Sequence, residues 1–82
     1  PFNPHTTVRF DLPRTTRVNL RLYDLAGRLV RTLVDGEVLP AGRRQVVWRG
    51  RDDRGRQVAA GTYLYRLEAG DFSATRRMTL VK

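Results

Sequence analysis

Four carboxylates in turn-rich segments, Asp35, Asp52, Asp53 and Asp71, are the side chains best suited to hold a hard cation, because calcium gathers about six to eight oxygens, several of them from carboxylates. Asp52 and Asp53, however, sit in a run that also carries Arg49, Arg51, Arg54 and Arg56, whose charge opposes a bound cation. The role expected of Asp52 is therefore local: it caps backbone amides of its own turn and pairs with a neighbouring arginine. His5 is the sole histidine, so a Ser-His-Asp triad would have to be built on the N-terminal edge of the fold, where chains fray. No nucleophile, base and orienting group fall together. The sequence reads as non-catalytic, with no catalytic, metal-binding or cofactor-binding residue and no cofactor.

Charge raises a second possibility. Fifteen Arg and one Lys face eight acids, a formal net charge of +8, which favours an anionic partner. Arg43, Arg44, Arg49, Arg51, Arg54 and Arg56 make the densest basic run. A nucleic-acid site would join such a run to exposed aromatics for base stacking. The nearby aromatic is Trp48, and alternation sends it to the core, so nucleic acid is not the expected partner. Arg9, Arg21, Arg31, Arg66, Arg76 and Arg77 are spread over different strand candidates, as on the wet faces of half-buried strands.

The elements that must carry these residues follow from periodicity. Val8, Phe10 and Leu12 alternate with Thr7, Arg9 and Asp11 up to Pro13, the pattern of a half-buried strand. Thr16 to Leu25 repeats it with Val18, Leu20 and Leu22 on one face, and Ala26-Gly27 offers a turn into Arg28 to Val34. That third segment is ambiguous, because Leu25, Leu29, Val30, Leu33 and Val34 also suit a helical stripe; its β-branched content and the bounding Gly27 and Gly36 favour a strand. Asp35-Gly36 and Pro40-Ala41-Gly42 punctuate a loop before Arg43 to Trp48, with Val46 and Trp48 inward. After a polar loop from Gly50 to Gln57, Val58 to Ala60 reads as a short edge strand. Gly61 to Ala69 places Tyr63, Tyr65 and Leu67 on one face, and Gly70-Asp71 turns into a last strand, Phe72 to Val81.

About seven short strands, frequent turn signals and no credible long helix predict an all-β, immunoglobulin-like antiparallel β-sandwich. The expected structural core is Val18, Leu20, Leu22, Trp48, Tyr63, Tyr65 and Leu67. The 82 residues make one domain, residues 1–82, read as the C-terminal piece of a longer secreted protein. With no cysteine, packing alone must hold it. No apolar stretch approaches the roughly 20 residues of a membrane-spanning helix, and the opening Pro1-Phe2-Asn3-Pro4 is unlike a signal peptide.

Several motifs carry a resemblance over nearly the whole chain: Pro1-Phe2-Asn3-Pro4 with Thr7 and Val8; Val18-Asn19-Leu20-Arg21-Leu22-Tyr23-Asp24-Leu25-Ala26-Gly27-Arg28; Trp48-Arg49-Gly50; Gly61-Thr62-Tyr63; and Met78-Thr79-Leu80-Val81-Lys82. In these the chain resembles the immunoglobulin-like type A C-terminal sorting domain of proteins secreted by the bacterial type IX system. It is also similar to the immunoglobulin-like domain of the flagellar hook-capping protein, which shares the Trp-x-Gly-x-Asp and Gly-x-Tyr signature. The proline-rich opening and the closing Lys82 favour the sorting domain of the two.

The resemblance implies a domain that directs an upstream cargo, in the same chain, through the outer-membrane secretion machinery to the cell surface or the medium. Its recognition residues would be Gly61, Tyr63, Arg77, Met78, Leu80, Val81 and Lys82. The rival expectation is an extracellular structural module that self-assembles through exposed β-edges as a homo-oligomer, or an assembly domain of the hook-capping type.

Overall fold

A computed structural model describes residues 5–81. It contains six strands, β1 (Thr6–Leu12), β2 (Thr16–Tyr23), β3 (Leu29–Leu39), β4 (Gly42–Trp48), β5 (Gly61–Ala69) and β6 (Phe72–Leu80). They form two antiparallel sheets, β1-β4 and β3-β2-β5-β6. The fold is an immunoglobulin-like sandwich with two strands laid over four.

Alternation decides what faces inward. In the larger sheet Leu20 lies opposite Leu67, Leu22 opposite Tyr65, and Tyr63 opposite Met78. Directly paired residues share a face, so these side chains form one continuous layer. The smaller sheet supplies Val8, Phe10 and Leu12 from β1 and Val46 and Trp48 from β4. Val18, Leu20 and Leu22 have no exposure, Trp48 and Leu80 1% each, and Tyr63 and Leu67 7% and 6%; Tyr65 is only partly buried. The rings of Trp48 and Tyr63 meet edge to face at 5.0 Å and 76°, a favoured aromatic geometry. Both polar tips find carbonyl partners: Trp48 Nε1 donates to Arg51 O at 2.8 Å, and the Tyr63 hydroxyl donates to Ala59 O.

Three expectations need correction. First, the described residues form six strands where about seven are expected, because Val58–Ala60 is a loop. Val58 N donates to Gly50 O at 3.0 Å and one bridge joins Arg51 to Gln57, closing the loop's neck, while the Val58 side chain packs on the Leu22–Trp48 cluster. Second, Asp35-Gly36 lies within a strand, since β3 continues to Leu39. Third, β2 stops at Tyr23, and Leu25 is 65% exposed in the turn that follows.

The helical look of Leu29 to Val34 has a structural cause. Pairing of β3 with β2 slips between Val18 and Asn19, between Leu20 and Arg21, and between Leu22 and Tyr23. The slips leave Gly36, Leu33 and Val30 without a partner in the register. These bulges recur every three residues, so a strand carries apolar side chains at near-helical spacing.

Candidate functional site

Two turns of the molecule are built alike. Each has the sequence Asp-x-x-Gly-Arg, Asp24 to Arg28 between β2 and β3, and Asp52 to Arg56 in the loop between β4 and β5. Asp24 Oδ1 accepts hydrogen bonds from the amides of Ala26 (2.9 Å) and Arg28 (3.0 Å), and Oδ2 pairs with Arg28 Nε at 3.1 Å. Asp52 repeats this set with the amides of Arg54 (3.0 Å) and Arg56 (2.9 Å) and with Arg56 Nε at 3.3 Å. The backbone bonds match too, Gly27 N to Asp24 O at 3.0 Å and Gly55 N to Asp52 O at 2.9 Å. Gly27 (φ 87°) and Gly55 (φ 80°) occupy the left-handed region that the turn demands and that glycine tolerates best. The donated amide of Arg28 is the main reason the Asp24 carboxyl sits below its ordinary pKa, and that of Arg56 does the same for Asp52. Both are structural carboxylates, committed to their own turns. Burial is what raises the Tyr63 phenol, and the charge of Asp24 adds to it.

The Asp52 turn has a further task. Asp53 N donates to Val30 O and Thr32 N donates to Asp53 Oδ1, each at 2.9 Å. Arg31 Nη1 reaches Asp52 O at 3.1 Å, and its Nε lies 3.9 Å from Asp53 Oδ1. The loop thus caps the outer edge of β3 at its bulged start, where backbone groups would otherwise be unpaired. Asp35 lies 4.0 Å from Arg21 across the sheet. Among the described residues, no group of three or more His, Asp or Glu is placed to hold a metal ion.

Among the described residues, the opposite flank has no such cover. Between β1 and the β5-β6 hairpin runs a cleft of about 560 Å³ beside Leu12, Leu67 and Phe72, with a smaller space of about 210 Å³ beside Phe10, Ala74 and Arg76. Arg76 lies opposite Tyr65 and therefore on the inward row of β6, although it is exposed. It is not a wet-face arginine of the ordinary kind. Phe72, on the same row, is 57% exposed. Arg44 likewise falls on the inward row of β4, opposite Phe10, and its buried Nε has no hydrogen-bond partner.

The residues that the resemblance marks for recognition divide sharply. Gly61 pairs with Leu80 and Tyr63 with Met78, all across β5 and β6. Tyr63 and Leu80 are buried, Gly61 and Met78 half-buried, and only Arg77 and Val81 present exposed side chains. Lys82 lies outside the described residues. The Asp52 turn is the local cap expected from the sequence, with Arg56 as its arginine; its repeat at Asp24 and the exposed inward row of β6 lie outside that expectation, although the repeated Asp-x-x-Gly-Arg spacing is visible in the sequence.

Comparison with known proteins places this geometry. The family model of the FlgD Ig-like domain matches residues 3–72. The chain belongs to the FlgD Ig-like domain family. The match stops at Phe72, the first residue of β6. Two solved structures share the fold of this FlgD Ig-like chain. FlgD from P. aeruginosa superposes with a TM-score of 0.72 at 23% identity, covering 93% of this chain and 59% of that one. FlgD from Xanthomonas campestris, described for hook capping essential for flagellar assembly, gives 0.69 at 24% identity, covering 95% and 56%. The chain therefore spans less than two thirds of the length of either, and at these identities the likeness establishes the fold. No curated protein matches the chain.

Proposed function

We propose that this FlgD Ig-like domain is a non-catalytic assembly module of the hook-capping type, which joins the protein that carries it to a protein partner outside the cytoplasm. Family membership over residues 3–72 carries the reading, and the Xanthomonas relative is described by its part in hook capping. The unused catalytic repertoire agrees with it: the aspartates with depressed pKa are tied into their own turns, and the buried tyrosine hydroxyl is spent on a backbone carbonyl.

A second reading, the type IX sorting domain, draws on one observation. Most of β6 lies beyond the segment that matches the family, it forms an edge of the larger sheet, and Arg77 and Val81 are exposed there. One experiment separates the two. A signal peptide, a reporter and this domain are fused and expressed in a bacterium with a type IX system. The assembly reading expects the reporter to stay in the periplasm. Export that is lost on deleting residues 79–82 overturns it in favour of sorting, with cargo upstream and the secretion machinery as partner.

A further inference from the structure

The two sheets are offset in a way that exposes part of the core layer. The inter-sheet clefts put β4 on the β3 side, beside Leu33 and Val34, and β1 on the β5-β6 side, beside Leu67 and Phe72. Two strands over four leave the inward row of β6 short of cover, and Phe72 and Arg76 are exposed there. Neighbouring strands lie about 4.8 Å apart, so one more strand beside β1 would pass over that row. Among the described residues the edge is available, because β1 pairs there with β4 alone and turns its other side, with alternate N–H and C=O groups, toward the cleft.

We propose that the free edge of β1 accepts an extended acidic strand from a partner protein, which becomes the third strand of the smaller sheet and seats apolar side chains in the cleft beside Leu67 and Phe72. Strand addition of this kind draws affinity from main-chain hydrogen bonds and specificity from pockets for alternate side chains. The cleft of about 560 Å³ lies within the range of about 300 to 1,000 Å³ typical of binding pockets.

Charge selects the occupant. Arg14, Asp11 and Asp71 line the larger cleft, Arg9, Arg76 and Asp11 line the smaller space beside it, and none of the five enters an ion pair among the described residues. The larger cleft by itself carries one arginine against two aspartates, and the positive excess stands in the smaller space, at Arg9 and Arg76, so that a strand running along both meets three arginines against two aspartates on a chain of formal charge +8. A second copy fits poorly. Two β1 strands paired antiparallel across Thr6–Leu12 would meet at their midpoint, Arg9 against Arg9, and like charges directly opposite are destabilising. An acidic strand meets no such penalty.

The inference deepens the assembly reading by naming its surface and the chemistry of its partner. It is tested on the 82-residue chain with a fluorescent peptide of about eight residues, the length of an ordinary strand, alternating valine and glutamate, against its lysine-for-glutamate counterpart. Fluorescence anisotropy is expected to show the glutamate peptide binding about tenfold or more tightly, with affinity falling as salt rises. Arg9→Glu combined with Arg76→Glu should reverse that preference, and Phe72→Ser should weaken both peptides. Circular dichroism checks that these exposed positions leave the fold intact. Bound peptide should also slow amide exchange in Thr6–Leu12. Equal binding of the two peptides, or binding indifferent to all three substitutions, overturns the proposal. So does a concentration-dependent dimer that excludes the peptide, which makes a second copy the occupant. A failed peptide test with the reporter still periplasmic removes the β1 surface alone, whereas export of the reporter removes the assembly reading beneath it.

Discussion

On the β3-β4 flank, the Asp52 turn folds back so that Asp53 N donates to Val30 O, Asp53 Oδ1 accepts from Thr32 N, and Arg31 reaches two acceptors of the same turn. On the β1-β6 flank, no described loop does this, and Phe72, Arg9 and Arg76 stand at an uncovered cleft. The flanks face the same physical problem, since every sheet edge offers unpaired backbone to solvent or to another chain. One is closed from within the chain. The other is held in check only by its charge and by Pro13 at the end of β1. The proposed β1 surface rests on this difference, because the closed flank uses its polar groups on itself and the described residues of the open flank do not.

The comparison breaks most severely at the closed side. Trp48 fills the junction between sheets, so Trp48→Ala should cost about 3 to 5 kcal/mol by urea unfolding, close to the full stability of a small domain. A variant as stable as the parent contradicts the packing described for Trp48 and Tyr63.

The twin turns come next. Gly27→Ala and Gly55→Ala each force an L residue into the left-handed region, with nothing within 4 Å to oppose the added Cβ. Backbone strain alone should cost about 1 to 2 kcal/mol at either site. Because the Asp52 turn also docks on β3, Gly55→Ala should in addition speed amide exchange at Thr32, and Gly27→Ala should not. Equal exchange at Thr32 in the two variants would show that the turn does not close the flank.

Acid provides a gentler probe of the same turns. Asp24 and Asp52 have lower pKa values folded than unfolded. The stability they contribute is therefore present above the ordinary aspartate value of about 3.9 and is lost as pH falls through the depressed folded values. Urea midpoints should drop below about pH 4 in the parent, and drop less when both residues are changed to Asn. Identical acid sensitivity in the two proteins contradicts the role given to these carboxylates.

The smallest effect belongs to the open flank. Phe72→Ser removes a large apolar side chain that is already 57% exposed, and the stability should change by no more than about 0.5 kcal/mol. A loss comparable to that of Trp48→Ala would mean that Phe72 belongs to the core and that the flank is not open.

Much of this architecture is written in the sequence at the level of rows. Val18, Leu20 and Leu22, and Tyr63, Tyr65 and Leu67, alternate strictly because β2 and β5 are the central strands of the larger sheet, where register is set by burial. β3 is less legible, since its bulges at Val30, Leu33 and Gly36 replace a period of two with one near three. Val58–Ala60 imitates a strand because one apolar side chain is needed to pin the loop's neck against Trp48. Arg76 is the hardest to read. Its alternation places it with Tyr65, Met78 and Leu80, yet whether an inward row is covered depends on the strand count of the facing sheet, which no local pattern in β6 records.

Amide hydrogen exchange on the free chain measures the asymmetry of the flanks directly. The account predicts slow exchange at Thr32, whose amide is held by Asp53, and fast exchange at the outward-pointing amides of β1 and of β6. Equal protection on both flanks would contradict it.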